Sequence, residues 1–320
     1  MMQNIFQKTV KTLALPLILY LVFLIAAPAR FSSANCFTTI LYQSFIPSII
    51  GYGMSFGFIC GIFDFTIGSR VVIAEIIGGM LSVQYGLAGL IIGCLVAGIA
   101  VGALTGFVNW IARIPSLVVS FGLAMVFEIV GQWMSGKSSM VTLKPSMSIL
   151  WSFPYNIIVM VVCFALFYLI FYRTRFSYHT NAVGNDELIA KSMGVNVPKI
   201  KFLTFLVSGI FLGVVSVLQI SYTGSAGSQI NLTSVMALFR PMMGVIVGLA
   251  LQSVCNIAVG IFVGEFSINV IFVGLIALGL PDTLQNVMLG IFLLIVMVFS
   301  SAGINLKQLL SRKKPVAMNS

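Results

Sequence analysis

Apolar segments of about 20 residues recur along this chain, separated by short polar connections. A helix of that length crosses a hydrocarbon layer of ~30 Å, and its backbone groups are hydrogen-bonded within the helix. Only 8% of the residues are charged, against 59% that are hydrophobic, so no stretch remains for a soluble catalytic domain. The chain is therefore predicted to be an all-α, polytopic membrane helix bundle.

Hydropathy predicts about ten transmembrane helices. Their approximate ranges are 12–29, 40–62, 67–83, 86–111, 116–134, 153–172, 202–222, 235–252, 254–278 and 284–301. An even number of spans puts both termini on one side, and 13 of the 17 Lys and Arg residues, Arg70 among them, fall on that side. Because basic residues accumulate in cytoplasmic loops, both termini are predicted to be cytoplasmic. The prediction gives a membrane domain over 1–306, with a cytoplasmic loop at 173–201, and a basic cytoplasmic tail over 307–320.

The net charge of +10 reflects this topology, because the basic residues are dispersed and no soluble domain presents them to a nucleic acid. The five cysteines are isolated in the sequence, which predicts neither a disulfide framework nor a metal or cofactor site. Residues 131–138 have the glycine and lysine spacing of a phosphate-binding loop. They end an apolar span instead of joining a strand to a helix, so the chain is predicted not to hydrolyse ATP and not to be an enzyme.

A short polar segment interrupts the apolar pattern within the predicted cytoplasmic loop. It reads Gly184, Asn185, Asp186, Glu187, Leu188, Ile189, Ala190, Lys191, Ser192, Met193, Gly194. Asn185 is predicted to cap a helix over 185–193, Asp186 and Glu187 to lie in its first turn, and Gly194 to close it. A solvated helix of about two turns gains little stability by itself. Its order is therefore expected to serve contact with a partner.

Three carboxylates, Glu75, Glu128 and Glu265, lie within predicted spans, where an ionisable group is costly and often functional. One interpretation is a proton relay, which makes an ion-coupled secondary transporter the alternative function. The other is that each carboxyl is protonated or hydrogen-bonded inside the bundle.

A carboxylate also interrupts an apolar run between Gly61 and Ser69. The motif residues are Phe63, Asp64, Phe65, Thr66, Gly68 and Ser69. Asp64 is interpreted either as a cap for the helix that begins near residue 67 or as a group that touches a solute, since irregular backbone at membrane depth is tolerated where it is buried or lines a cavity.

Small residues and scattered polar residues add packing and pathway candidates. Glycine recurs at every fourth position in two sets: Gly53, Gly57 and Gly61, and Gly98, Gly102 and Gly106. Such ridges let membrane helices approach closely. The polar pathway candidates are Gln43, Ser55, Asn109, Gln132 and Gln219.

Three of these stretches resemble the ribose-type (sugar) permeases of ATP-binding cassette (ABC) importers. Residues 61–69 are similar to that family's Gly-Ile-Asp-Leu-Ser-Val-Gly-Ser element, and residues 181–195 are similar to its cytoplasmic loop. Residues 274–281, followed by Gln285 and Gly290, resemble its last two spans. The matches occur in the family's order and together cover most of the chain.

The resemblance implies the inner-membrane subunit of a binding-protein-dependent importer in a prokaryote. Its partners would be a second permease subunit, a cytoplasmic ABC ATPase that uses ATP, and an extracytoplasmic solute-binding protein; the solute would be a sugar. The helix at 185–193 would be the coupling helix, with Leu188, Ile189 and Met193 contacting the ATPase. Glu187 and Lys191 are expected to pair on its surface.

Residues 239–250 depart from the family, which is richer in glycine there; here Arg240 and Pro241 introduce a charge and a helix start. We interpret this divergence as a sign either of an altered solute or of service in a heteromeric permease pair.

Overall fold

The computed structural model describes residues 2–112, 114–136, 140–253 and 255–281, together with 284, 287, 290, 291 and 294. The helices, numbered in chain order, are α1 Met2–Ala26, α2 Pro28–Phe31, α3 Ala34–Gln43, α4 Phe45–Ile59, α5 Ile67–Ala112, α6 Ser116–Ser135, α7 Tyr155–Arg173, α8 Arg175–Asn185, α9 Glu187–Ser192, α10 Val197–Thr223, α11 Thr233–Met236, α12 Phe239–Ala250 and α13 Ile257–Ala277. Two 3-10 helices, Pro145–Trp151 and Leu251–Ser253, and two strands, β1 Met140–Thr142 and β2 Ser225–Gly227, complete the described elements.

Within the described ranges, six helical segments are long and apolar enough to cross a membrane. The chain is therefore a helical, multi-pass membrane protein, as predicted. The predicted span at 284–301 falls largely outside the described residues, and the tail over 307–320 falls wholly outside them. The number of ten spans and the cytoplasmic side of the termini stay predictions.

The long helix α5 consists of two helices that meet at Gly86. Gly86 has φ 62° and ψ −144°, a backbone conformation that side chains other than glycine's rarely allow. The two halves then pack on each other, since a Cβ atom on Gly93 would lie 2.9 Å from Cα of Gly78. The break between the predicted spans 67–83 and 86–111 is thus a tight bend in the structure.

The second half of α5 packs closely on α10. A Cβ atom on Gly98 would lie 2.7 Å from both the carbonyl oxygen of Gly209 and Cα of Gly213, and one on Gly102 would lie 2.7 Å from the carbonyl oxygen of Phe205. Only glycine permits this approach, so the predicted ridge on α5 is confirmed. Gly61 does not extend the other ridge, because α4 ends at Ile59 and no atom lies within 4 Å of a Cβ built on Gly61.

The chain turns back into the bundle after α10. Strand β2 pairs antiparallel with β1, and Ala226 belongs to a buried cluster with Ile76 and Ile220. The carbonyl oxygen of Ser234 lies against Gly68, about two helical turns nearer the start of α5 than Ile76 is. Residues 228–238, called the re-entrant segment below, therefore run back along α5.

Residues Leu41–Val245 form one compact unit, and the described residues of Met1–Ile40 and Ile246–Ser320 form another. In the second unit α1 packs on α13, and the Tyr20 hydroxyl donates a 3.0 Å hydrogen bond to the carbonyl oxygen of Phe31. Phe31, Ile40 and Val270 are fully buried in its core. The predicted coupling helix and the motif around Asp64 both belong to the first unit.

Candidate functional site

The loop between α4 and α5 folds around the carboxylate of Asp64. Its Oδ1 accepts a 2.9 Å hydrogen bond from the backbone N–H of Thr66 and a second one from the Thr66 hydroxyl. Its Oδ2 lies 2.8 Å from Nη1 of Arg70. Asp64 therefore stabilises the turn that leads into α5 and forms an ion pair with Arg70 on the first turn of that helix.

Arg70 is fully buried, and its guanidinium joins α5 to α10. Besides the ion pair with Asp64, Nη2 donates to the Ser208 hydroxyl at 3.2 Å and to the carbonyl oxygen of Phe205 at 3.4 Å. The charge count that predicts the membrane orientation treats Arg70 as a loop residue, and the structure corrects this, because the side chain is paired inside the bundle. Without Arg70, 12 of the remaining 16 basic residues still fall on the predicted cytoplasmic side.

The other motif residues position helices. The ring of Phe65 meets that of Phe121 on α6 edge-on, with centroids 6.0 Å apart. The Ser69 hydroxyl donates a 2.9 Å hydrogen bond to the carbonyl oxygen of Thr66. A Cβ atom on Gly68 would collide with the carbonyl oxygen of Ser234, so the position requires glycine. Phe63, by contrast, is 43% exposed.

The carboxylate of Glu128, on α6, binds the re-entrant segment. Oε2 accepts a 2.8 Å hydrogen bond from the backbone N–H of Leu232, and Oε1 accepts one at 3.0 Å from the N–H of Ser234 and another from its hydroxyl. Glu128 is only 5% exposed. Two backbone donors at the start of α11 are therefore satisfied by a buried carboxylate. For Glu128 the structure supports the interpretation that the carboxyl is hydrogen-bonded inside the bundle.

The two other carboxylates within predicted spans, Glu75 and Glu265, are also buried. Glu75 is 5% exposed, and its Oε1 atom has no hydrogen-bond partner among the described residues. Glu265 is fully buried in the other compact unit. Over the part of the chain that the structure describes, no three His, Cys, Asp or Glu side chains gather as a metal site would require.

Helix α9 spans Glu187–Ser192, and its N-cap is Asp186. Asp186 Oδ1 accepts hydrogen bonds from the backbone N–H groups of Leu188, at 2.8 Å, and Ile189, at 2.9 Å. The prediction that Asn185 is the cap is wrong, because Asn185 is the last residue of α8. Gly194 closes the helix as predicted, with φ 84°.

Helix α9 presents apolar side chains outward. Leu188, Ile189 and Met193 are 79%, 58% and 78% exposed. Ala190, which belongs to the predicted coupling segment, is 2% exposed and packs in a cluster with Val183 and Val197. It therefore lies on the inner face of α9, where it attaches the helix to α10, and not on the exposed face.

Two further contacts fix α9 to the membrane helices. Glu187 forms an ion pair with Lys201 on α10, with Nζ and Oε2 2.8 Å apart, so the predicted surface pair with Lys191 is wrong. A Cβ atom on Gly184 would collide with the carbonyl oxygen of Ile59, so glycine is required where α8 crosses the end of α4. The polar segment is therefore attached to both α4 and α10.

Sequence reasoning missed Arg70, Lys201 and Ser234 as the partners of Asp64, Glu187 and Glu128, respectively. Arg70 left a usable signal, because a cation and an anion six residues apart bracket the start of an apolar helix. Lys201 is 14 residues from Glu187, and Ser234 is 106 residues from Glu128. No local pattern connects residues so far apart.

The helices define a multi-pass membrane protein, which presents the exposed apolar side chains of α9 to a partner or to solvent. A family model described as "Branched-chain amino acid transport system / permease component" matches residues 36–297, and the chain belongs to this family. The predicted membership of the ABC permeases is confirmed. Such subunits are components of transporters and not enzymes.

Curated relatives match nearly the whole chain. The fructose import permease protein FrcC of Rhizobium meliloti is 26% identical, over 88% of this chain and 83% of its own. The probable ABC transporter permease protein YphD of Escherichia coli (strain K12) is 28% identical, over 93% and 90%. The autoinducer 2 import system permease protein LsrC of Yersinia pestis (strain Pestoides F) is 25% identical, over 84% and 78%. No solved structure matches the chain.

Proposed function

We propose that this chain is the membrane-spanning permease subunit of an ABC importer that moves a sugar into the cytoplasm of a prokaryote across its plasma (inner) membrane. Two permease subunits form the pathway, a cytoplasmic ATPase hydrolyses ATP, and an extracytoplasmic binding protein delivers the solute. The names of two relatives, a fructose importer and an autoinducer 2 importer, support a small polar solute.

The observation that carries the proposal is the exposed face of α9. A helix of six residues that is capped at both ends and displays Leu188, Ile189 and Met193 to solvent has its apolar surface uncovered in the isolated chain. An apolar helix face of this kind fits a hydrophobic groove on a partner. The partner in this proposal is the ATPase.

The attachments of α9 provide the route for a push from the ATPase. Ala190 and Lys201 link α9 to α10, and Gly184 holds the preceding helix against α4. Helix α10 is packed on α5 through glycines, and Arg70 on α5 adds a hydrogen bond to the Ser208 hydroxyl on α10. Movement of α9 is therefore expected to displace these helices together and to switch the pathway between inward and outward access.

The test is co-purification of the ATPase with the double variant Leu188→Ser, Met193→Ser. Met140→Ser is the matched control, because Met140 is 52% exposed on β1, at the other end of α10. We expect the double variant to lose the ATPase and the control to retain it, with both variants inserted and folded. Equal binding by the double variant would refute the assignment of α9.

Reconstituted transport tests the remaining parts. Uptake that needs ATP, the ATPase and the binding protein supports the importer, whereas uptake by the chain alone under a proton gradient supports the ion-coupled alternative and directs attention to Glu75. Purification of the chain with its ATPase also distinguishes a homodimer from a heteromeric permease pair.

A further inference from the structure

A small cavity lies between the start of α5, the end of α10 and the re-entrant segment. Its volume is about 50 Å³. Apolar side chains, including Ile50, Val71 and Leu238, form most of its wall, and the amides of Gln219 and Gln229 are its polar side chains. The cavity is therefore amphipathic and lined without a charged group.

One of these amides is left incomplete. Oε1 of Gln229 is buried and has no hydrogen-bond partner among the described residues. A buried acceptor without a donor is costly, so such groups are rare unless a ligand or a moving element completes them. A solute that carries a hydroxyl group would supply the missing donor.

The lining discriminates between classes of solute. A zwitterionic amino acid would bring an ammonium and a carboxylate into an apolar site, where each needs a charged or strongly hydrogen-bonding partner. A neutral polyol needs only donors and acceptors, which carboxamides provide in both kinds. The chemistry of the lining therefore suits a monosaccharide better than an amino acid.

The cavity is smaller than the ~300–1,000 Å³ that is typical of ligand sites, so a wall must move before a sugar fits. The re-entrant segment is the wall that we expect to move. Asn231 and Leu232 have φ angles of 59° and 61°, which residues other than glycine seldom adopt. Three hydrogen bonds from the segment to Glu128 hold this conformation.

We propose that Gln219 and Gln229 are the polar contacts of a neutral, hydroxyl-rich solute inside the membrane, and that the re-entrant segment, latched by Glu128, is the movable wall of this site. The proposal rests on the proposed function, because it presupposes a transport cycle. It adds the site at which such a solute is held inside the membrane and the element that opens this site.

The test uses the whole transporter, with its ATPase and binding protein, in proteoliposomes. Gln229→Cys is made in a background without the native cysteines that retains ATP-dependent uptake, and a charged methanethiosulfonate reagent probes the new thiol. Ile220→Cys is the control, because Ile220 is a fully buried neighbour of Gln219 that does not line the cavity. Rates are compared without nucleotide and with the ATPase trapped by ATP and vanadate.

We expect the Gln229→Cys thiol to react at least about tenfold faster in one nucleotide state than in the other, while the control thiol stays unreactive in both. The monosaccharide that the wild type takes up, from D-fructose, D-ribose, D-glucose and D-galactose, should slow the reaction, and L-leucine should not. Adding Glu128→Gln should make the Gln229→Cys thiol reactive in both states, because the added NH₂ faces backbone donors. Ser234→Ala, which removes one of the three hydrogen bonds, should have the same effect more weakly.

Three results would overturn the proposal: a Gln229→Cys thiol as unreactive as the control thiol in both states, protection by L-leucine, or no protection by a transported monosaccharide. If the Gln229→Cys thiol reacts at the same rates after Glu128→Gln is added, in a protein that still folds, then Glu128 does not hold the re-entrant segment in place. These failures differ from failure of the proposed function, in which the wild type itself shows no ATP-dependent uptake of any of the four sugars.

Discussion

Two ion pairs in this molecule have the same length and opposite surroundings. The contacts between Arg70 and Asp64 and between Lys201 and Glu187 are both 2.8 Å. The first pair has side chains 0% and 9% exposed, whereas the second has side chains 36% and 55% exposed. The energy of an ion pair depends on its dielectric surroundings more than on its length, so equal distances do not indicate equal importance.

The difference matches the position of each pair along the proposed route from ATPase to pathway. The buried pair fixes the loop before α5 to the first turn of α5, where Arg70 also donates hydrogen bonds to α10, and the exposed pair joins α10 to α9. We expect removal of one partner of the buried pair to destabilise the fold strongly, because the other charge is left buried. The exposed pair is expected to adjust the position of α9 at little cost.

The largest effect is expected from Asp64→Leu, which leaves the Arg70 guanidinium buried without its counterion. The loss of stability should be about 3–5 kcal/mol. Unfolding in mixed micelles by titration with SDS measures it. The double variant Asp64→Leu, Arg70→Met should recover most of the loss, because it removes the uncompensated charge as well as the pair. A single variant that unfolds at the wild-type midpoint would show that Arg70 is solvated, against the burial described above.

The next effect concerns the packing around the same guanidinium. A Cβ atom on Gly102 would lie 2.7 Å from the carbonyl oxygen of Phe205 and 3.3 Å from Nη2 of Arg70. Gly102→Ala is expected to cost about 1–3 kcal/mol by overpacking. Gly122→Ala, in α6, is the matched control, because nothing lies within 4 Å of a Cβ at that position. Equal midpoints for the two variants would contradict the close packing of α5 on α10.

Sequence patterns predicted the parts of this fold that depend on neighbouring residues. Hydropathy placed a break between the predicted spans 67–83 and 86–111, next to the bend at Gly86, and spacing located the glycines through which α5 packs on α10. Gly194 was identified as a helix terminator because its role depends on its own backbone. In each case the physical cause lies within a few residues of the signal.

The sequence-based predictions were wrong or incomplete where contacts between segments far apart in the sequence determine the structure. Arg70 resembles a loop charge in sequence, and only the packing of α5 on α10 buries it. Ala190 belongs to a short helix whose other apolar side chains are exposed. One face of this helix packs against Val197, and Ala190 lies on that face. Glu187 has Lys191 one turn away, yet Lys201 approaches from another helix and forms the pair.

A smaller effect is expected from Asp186→Ala, which removes the N-cap of α9. Two backbone N–H groups lose their acceptor, and the local cost should be about 1 kcal/mol. Hydrogen exchange at the Leu188 and Ile189 amides should become faster, while exchange in α10 stays unchanged. Asp186→Asn should restore protection, because asparagine is also a good cap. Loss of protection throughout α10 would instead mean that α9 does not fray separately.

The smallest effect is expected from Lys201→Met, which breaks the exposed ion pair. A pair this open to solvent contributes at most about 1 kcal/mol, and salt reduces its contribution further. The midpoint in SDS should therefore move far less than with Asp64→Leu, although both variants break a contact of 2.8 Å. Glu187→Gln should behave in the same way, because neither partner is left buried. If Lys201→Met were as destabilising as Asp64→Leu, the exposed pair would have to be covered in the membrane. The contrast between the two ion pairs would then be wrong, because it assumes that solvent reaches Glu187.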